Sequence, residues 1–168
     1  MQFLTRDGCA KWCVTAGLDL DPDHGSPNEP SGPSAHFDIP SDAGRRVALA
    51  RLLWESIAAP APQVLLWVTE FGVWPSGEHR SLAESARRAW GAPGLLAEYP
   101  GHLVRGGEHE DGISLLVLAL VFLWDCWLLL PSSKGSALFV SHDEIGVAYA
   151  RHETELAPLV RRLELFRG

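Results

Sequence analysis

Cysteine is scarce, three in 168 residues, and so are methionine, at one, tyrosine, at two, and lysine, at two against twelve arginines. An odd cysteine count leaves at least one free thiol, which excludes a closed disulfide framework and fits a reducing cytoplasm as the expected location. The lack of lysine beside abundant arginine, alanine, glycine and proline fits the coding bias of a GC-rich bacterial genome. Positive charge is also in deficit, with 14 Lys and Arg against 21 Asp and Glu and a net charge of −7. Neutralising phosphates needs a concentrated basic face, so no nucleic-acid partner is expected. No long apolar run exists either. The longest uncharged apolar stretch, Ile113 to Trp124, is 12 residues, where a spanning helix needs about 20. It reads as part of a buried helix from about Glu110 to Leu123, and no membrane partner is expected. Met1 to Asp7 has no basic region followed by an apolar one, so no secretory leader is expected.

The composition that remains, 46% hydrophobic and 21% charged, suits one globular domain over residues 1–168. A chain of this length buries about 70% of its unfolded surface. Thr5 is placed to cap a helix reaching about Ala16, with Gly17 as terminator. Residues 18–44 carry six acidic side chains, no Lys or Arg and five prolines, a composition that resists regular structure and reads as a long acidic loop containing a short extended piece at 36–40. Ser41 and Asp42 open a helix to about Ala58, with Val47, Ala50, Trp54 and Ile57 as its inner stripe. Val64 to Val68 is a continuous apolar run, as in a strand buried on both faces. A helix over 78–90 turns Leu82, Ala86 and Ala89 inward, with Glu84 and Arg88 paired along its surface. After an irregular stretch at 92–107 come the buried helix, strands at 126–130, 136–140 and 145–150, and an amphipathic helix over 154–166. The helix-carrying connection from Val68 to Cys126 favours a parallel pair, and the short turn after Leu130 an antiparallel one. The expected fold is therefore α/β, a three-layer sandwich whose small mixed sheet of three to five strands is covered by helices on both faces.

No motif reaches the specificity of a catalytic or cofactor signature. There is no glycine-rich phosphate loop, no Gly-x-Ser-x-Gly elbow and no His-Glu-x-x-His, so neither cofactor nor metal is expected. Asp19, Asp21 and Asp23 alternate like the start of a calcium loop, but the glycine comes one place late and Pro30 stands at the bidentate glutamate position. They read instead as an acidic binding surface. Ser141-His142-Asp143-Glu144 follows a strand, and alternation allows His142 and Glu144 to share a site for proton transfer. Glu70 and Trp74 leave the carboxyl end of the strongest strand, where open α/β sheets place ligands. With the topology above, Glu70 and His142 fall at opposite edges of the sheet. Seven tryptophans exceed ordinary usage, and those near element ends, Trp12, Trp74 and Trp90, suit a protein interface.

These features lead first to a small macromolecule-binding module of the immunity or inhibitor kind, whose acidic surface meets a basic protein. The alternative is an enzyme or small-molecule binder with its pocket around Glu70 and Trp74. A homo-oligomeric subunit is the third reading.

Overall fold

The run Val64 to Val68 has no polar side to offer water, and all five residues are buried at the centre of the longest strand, β3 (Gln63–Glu70). The computed structural model describes residues 1–22, 24–58, 61–73, 80–131 and 136–166. On one side of β3 lies β4 (Gly101–Arg105) and beyond it β1 (Gln2–Leu4). On the other side follow β5 (Asp125–Leu129), β6 (Ala137–Val140), β7 (Ile145–Tyr149) and, at the far edge, β2 (Ser34–Asp38). Every neighbouring pair is antiparallel.

The α/β class holds, but the expected small mixed sheet of three to five strands is overturned by seven antiparallel strands. The physical reason is β4. Its sequence, Gly-His-Leu-Val-Arg, follows a proline, runs into two glycines and carries a histidine, so it reads as irregular, yet Gly101 to Val104 are buried. Both β4 and β5 run against β3, one on each side of it. The inferred parallel pairing of Val64–Val68 with Cys126–Leu130 is overturned: the two strands are antiparallel, and the helix-carrying connection runs instead from β4 to β5, which are parallel to each other with β3 between them.

Alternation along the strands separates two cores. Leu66, Val68, Cys126 and Leu128 face helices α2 (Ala43–Leu53), α4 (His109–Val121) and α5 (Glu153–Leu163), which contribute Leu53, Leu116 and Leu159. Leu65, Trp67, Trp127, Leu129 and Tyr149 face the other way, against Cys9 and Cys13 of α1 (Arg6–Thr15) and Leu18 and Leu20 of the segment after it. Burial pushes the Cys9 and Cys13 thiols up to about 12, so both are inert packing groups. Thr5 caps α1 by accepting from the Gly8 amide, and Asp42 caps α2 by accepting from that of Arg45. A π-helical turn, Trp54–Ala58, extends α2, and Trp54 sits so close over Gly112 that any side chain there would collide with its ring. Within the expected stripe of α2, Val47 is 46% exposed and Leu49 takes an inner place.

Helix α3 (Arg80–Ala89) departs further from its expected face. Leu82 is 61% exposed, and Ala83, Glu84 and Arg87 turn inward. Glu84 pairs with Arg87 at 2.7 Å rather than with Arg88. Arg87 also donates from Nη2 to the Tyr99 carbonyl at 2.8 Å and from Nε to His102 Nε2 at 3.1 Å. The second Glu84 oxygen accepts from the Leu96 amide at 2.7 Å. Burial, with the adjacent Arg87, drives His102 down from 6.5 to about 3, so its ring is neutral and accepts through Nε2. The unfolded chain takes up this proton near pH 6.5 and the folded chain only near 3. Stability therefore falls as pH is lowered through that window, by up to about 1.4 kcal/mol per pH unit. Urea unfolding at pH 7 and pH 5 checks this. The variant His102→Gln, which keeps an acceptor for Arg87 but cannot titrate, is expected to flatten the slope.

Candidate functional site

The strand β3 ends in an irregularity. Val68 pairs with Cys126 and Glu70 with Asp125, so Thr69 is an extra residue in the ladder. Simple alternation would send Glu70 to the helix-covered face. The bulge resets the phase, as bulges near sites do, and Thr69 and Glu70 both line a cleft on the opposite face. Asp125 reaches the same place from the start of β5. Leu123, at φ 53°, occupies the left-handed position that ends α4, and this lets the chain turn into β5 within a few residues.

The turn between β6 and β7 brings in His142. With β5 antiparallel to both β3 and β6, the ends of β3 and β6 lie at one edge of the sheet. The expected separation of Glu70 and His142 is thereby corrected, and it fails for the same reason as the parallel pair. His142 contacts Asp125 twice, its amide donating to Oδ1 at 2.8 Å and its Nδ1 lying 2.8 Å from the same atom. The hydrogen bond to Asp125 raises the imidazole above its usual 6.5, with further contributions from the charges of Asp125, Asp143 and Glu70. In Asp125→Asn the His142 pKa is expected to drop back toward 6.5, and an NMR titration of the ring protons reads it directly.

The cleft measures about 510 Å³. Trp67, Trp127 and Phe139 form its apolar lining, the last two with ring centroids 4.8 Å apart. Over them fold Asp21 and residues 24–29, tied by the bonds Asp21 N to Ser26 O and Gly25 N to Asp21 O, both 2.8 Å. Asp21 and Glu29 come from that segment and join Glu70 and Asp125, so four carboxylates line the cleft against one guanidinium, Arg6, and one imidazole, His24. His24 is itself 3.1 Å from Asp21. Among the described residues, no hydrogen bond or ion pair engages the carboxylates of Glu70 and Glu29. The indole nitrogen of Trp67, a residue only 1% exposed, is a buried donor without a hydrogen-bond partner among the described residues.

The other sequence candidates fall elsewhere. Glu144, at φ 61°, pairs with the buried guanidinium of Arg46, and its carbonyl accepts from the Ile39 amide at 2.7 Å. Arg46 also donates to the carbonyls of Pro40 and Leu120, so Glu144 ties the β6–β7 turn to α2. Asp19 borders a separate groove with Leu18 and Pro30. Trp74 and Asp23 lie outside the described residues. Trp12 and Trp90 are half-buried. Among the described residues, no three His, Cys, Asp or Glu side chains are placed to hold a metal ion, and no helix is long and apolar enough to cross a membrane.

Sequence reasoning passed over Asp125, Trp67 and Trp127 as site residues. A signal for Asp125 was present: it is the single charge in the 18-residue stretch Ile113 to Leu130, and a lone carboxylate there has to find a donor or an opening. In comparisons with known proteins, no family model matches the chain, and no match was found among curated proteins or solved structures.

Proposed function

We propose that the protein is a macromolecule-binding module of the inhibitor or immunity kind, whose acidic cleft receives a basic side chain of a partner protein. The observation that carries this reading is the four-carboxylate, aromatic-lined cleft at the shared edge of β3, β5 and β6. Aromatic groups attract cations, and carboxylates gathered in one cleft sum their attraction for a positive charge. The unengaged Glu70 and Glu29 leave acceptors for an incoming donor. The overall charge of −7 would also steer a basic partner toward the surface.

A second reading, a small-molecule or catalytic pocket, is favoured by the Asp125–His142 pair, in which a carboxylate orients and charges an imidazole beside Glu70. No hydroxyl or thiol among the described residues is hydrogen-bonded to His142, so a nucleophilic role has no nucleophile to activate. The two readings separate in solution. A binding module shows saturable shifts of the cleft resonances with a short basic peptide, strongest at low salt because screening weakens exposed charges. Shifts with neutral small molecules alone, and none with the peptide, would overturn it in favour of the pocket reading.

A further inference from the structure

We propose that the free edge of β2 receives a second copy of this chain, the two β2 strands pairing antiparallel across a two-fold axis at Phe37; the inference is independent of the cleft. Strand β2 closes one end of the sheet. It pairs with β7 in unbroken register, and the bonds at its two ends, Ala150 N to Pro33 O and Ile39 N to Glu144 O, fix which residues face inward. Bonding alternates along an antiparallel pair. Ala35 and Phe37 therefore bond to β7, and Ser34, His36 and Asp38 turn their backbone N–H and C=O groups to the open side. Edge strands are commonly blunted by shortness, a bulge or a lysine. The opposite edge, β1, is three residues long and gives way at once to α1. β2 has five residues, no bulge and no lysine.

Charge decides the occupant. Asp38 would repel a strand carrying an acid opposite it, so the partner has to present a donor there, and His36-Phe37-Asp38 is complementary to itself. Pairing about Phe37 sets His36 of each copy opposite the partner subunit's Asp38, and each such pair exchanges both of its backbone bonds. Both side chains are exposed, and among the described residues no hydrogen bond or ion pair engages either. Two residues before His36, Ser34 meets a proline, Pro40, which has no N–H to give, and the ladder stops. On the helix-covered face Phe37 meets its own counterpart at the close, non-hydrogen-bonded position. It stands beside a groove of about 290 Å³ lined by β2 with Val160 and Leu163 of α5. Phe37 and Val160 already pack against the larger core, so the pairing carries that core across the axis. With β1 too short to pair, one usable edge per chain closes a two-fold dimer rather than a fibre.

Sedimentation velocity over a concentration series tests this, with urea unfolding to confirm that each variant keeps the fold. The parent is expected to dimerise as concentration rises. His36→Pro removes one outward N–H without touching the β7 ladder and is expected to stay monomeric. His36→Asp sets acid against acid at both reciprocal positions and is expected to weaken the dimer by about tenfold or more. Adding Asp38→His to it restores the opposite pairs, and dimerisation is expected to return to within about threefold of the parent. A parent that is monomeric at every concentration overturns the proposal and leaves this edge to a strand of a different protein. A dimer that survives His36→Pro, or that His36→Asp and the swapped variant weaken equally, overturns it too, because another face then holds the copies together. Should His36→Pro unfold, the comparison of His36→Asp with the swapped variant decides alone.

Discussion

Replacing Arg87 by alanine is expected to lower the unfolding free energy by about 3–5 kcal/mol, the usual result of removing one partner from a buried ion pair. Arg87 is fully buried and serves Glu84, His102 and two carbonyls at once. Without it Glu84, 6% exposed, keeps only the Leu96 amide, and its charge has to be solvated or protonated inside the protein. The consequence reaches the cleft indirectly. The network joins α3 to β4, and β4 is the strand that holds β3 on the side away from β5. Arg87→Lys is expected to rescue little, because an ammonium cannot span Glu84, His102 and the Tyr99 carbonyl from one position. Urea unfolding of the two variants and the parent checks this, and a loss below about 1 kcal/mol for Arg87→Ala would contradict it.

The second large effect concerns binding. Substituting Glu70→Gln together with Asp125→Asn keeps size and shape but removes two charges from the cleft. Exposed ion pairs contribute up to about 1 kcal/mol and the half-buried Asp125 somewhat more, so the pair is expected to weaken a basic peptide by about tenfold or more. Glu70 is exposed and, among the described residues, the Asp125 carboxylate accepts only from His142, so stability should change little. The fold should therefore survive with its affinity reduced. pH gives an independent handle. His142 is protonated over a wider range than a free imidazole, and its charge offsets that of Asp125. As pH rises through its elevated pKa the cleft becomes more negative, so affinity for a cationic peptide is expected to increase with pH there.

The parts of the fold legible in the sequence are those where one physical rule acts alone. The unbroken apolar run of β3, the Thr5 cap of α1 and the buried α4 follow from burial and capping, and each lies within a few residues of its expected place. Legibility failed where a polar group is buried by compensation. Arg87, Glu84 and His102 satisfy one another, so α3 turns its charged side inward and β4 holds a histidine, and patterning by hydrophobicity misreads both. That one missed strand reversed the inferred direction of β5 and pushed Glu70 and His142 apart on paper. For the site, Glu70 and His142 were visible as polar residues at strand ends and Asp21 as part of an acidic loop. Asp125 and the tryptophans were not, because a strand within an apolar stretch gives no sign of which face is left open. The bulge at Thr69 is equally silent in sequence, since it arises from the pairing of β3 with β5.

Charge placed in this cleft, rather than acidity in general, is proposed to recognise the basic partner. The most direct measurement compares two variants with equal loss of charge in titrations with one basic peptide. The first carries Glu70→Gln and Asp125→Asn. The second carries Glu153→Gln and Glu164→Gln, both exposed and at the opposite face of the sheet on and just beyond α5. The cleft variant is expected to lose about tenfold in affinity or more while the α5 variant loses less than about threefold, as screened, isolated surface charges do. Equal losses in the two would show that only net charge matters and would contradict this proposal.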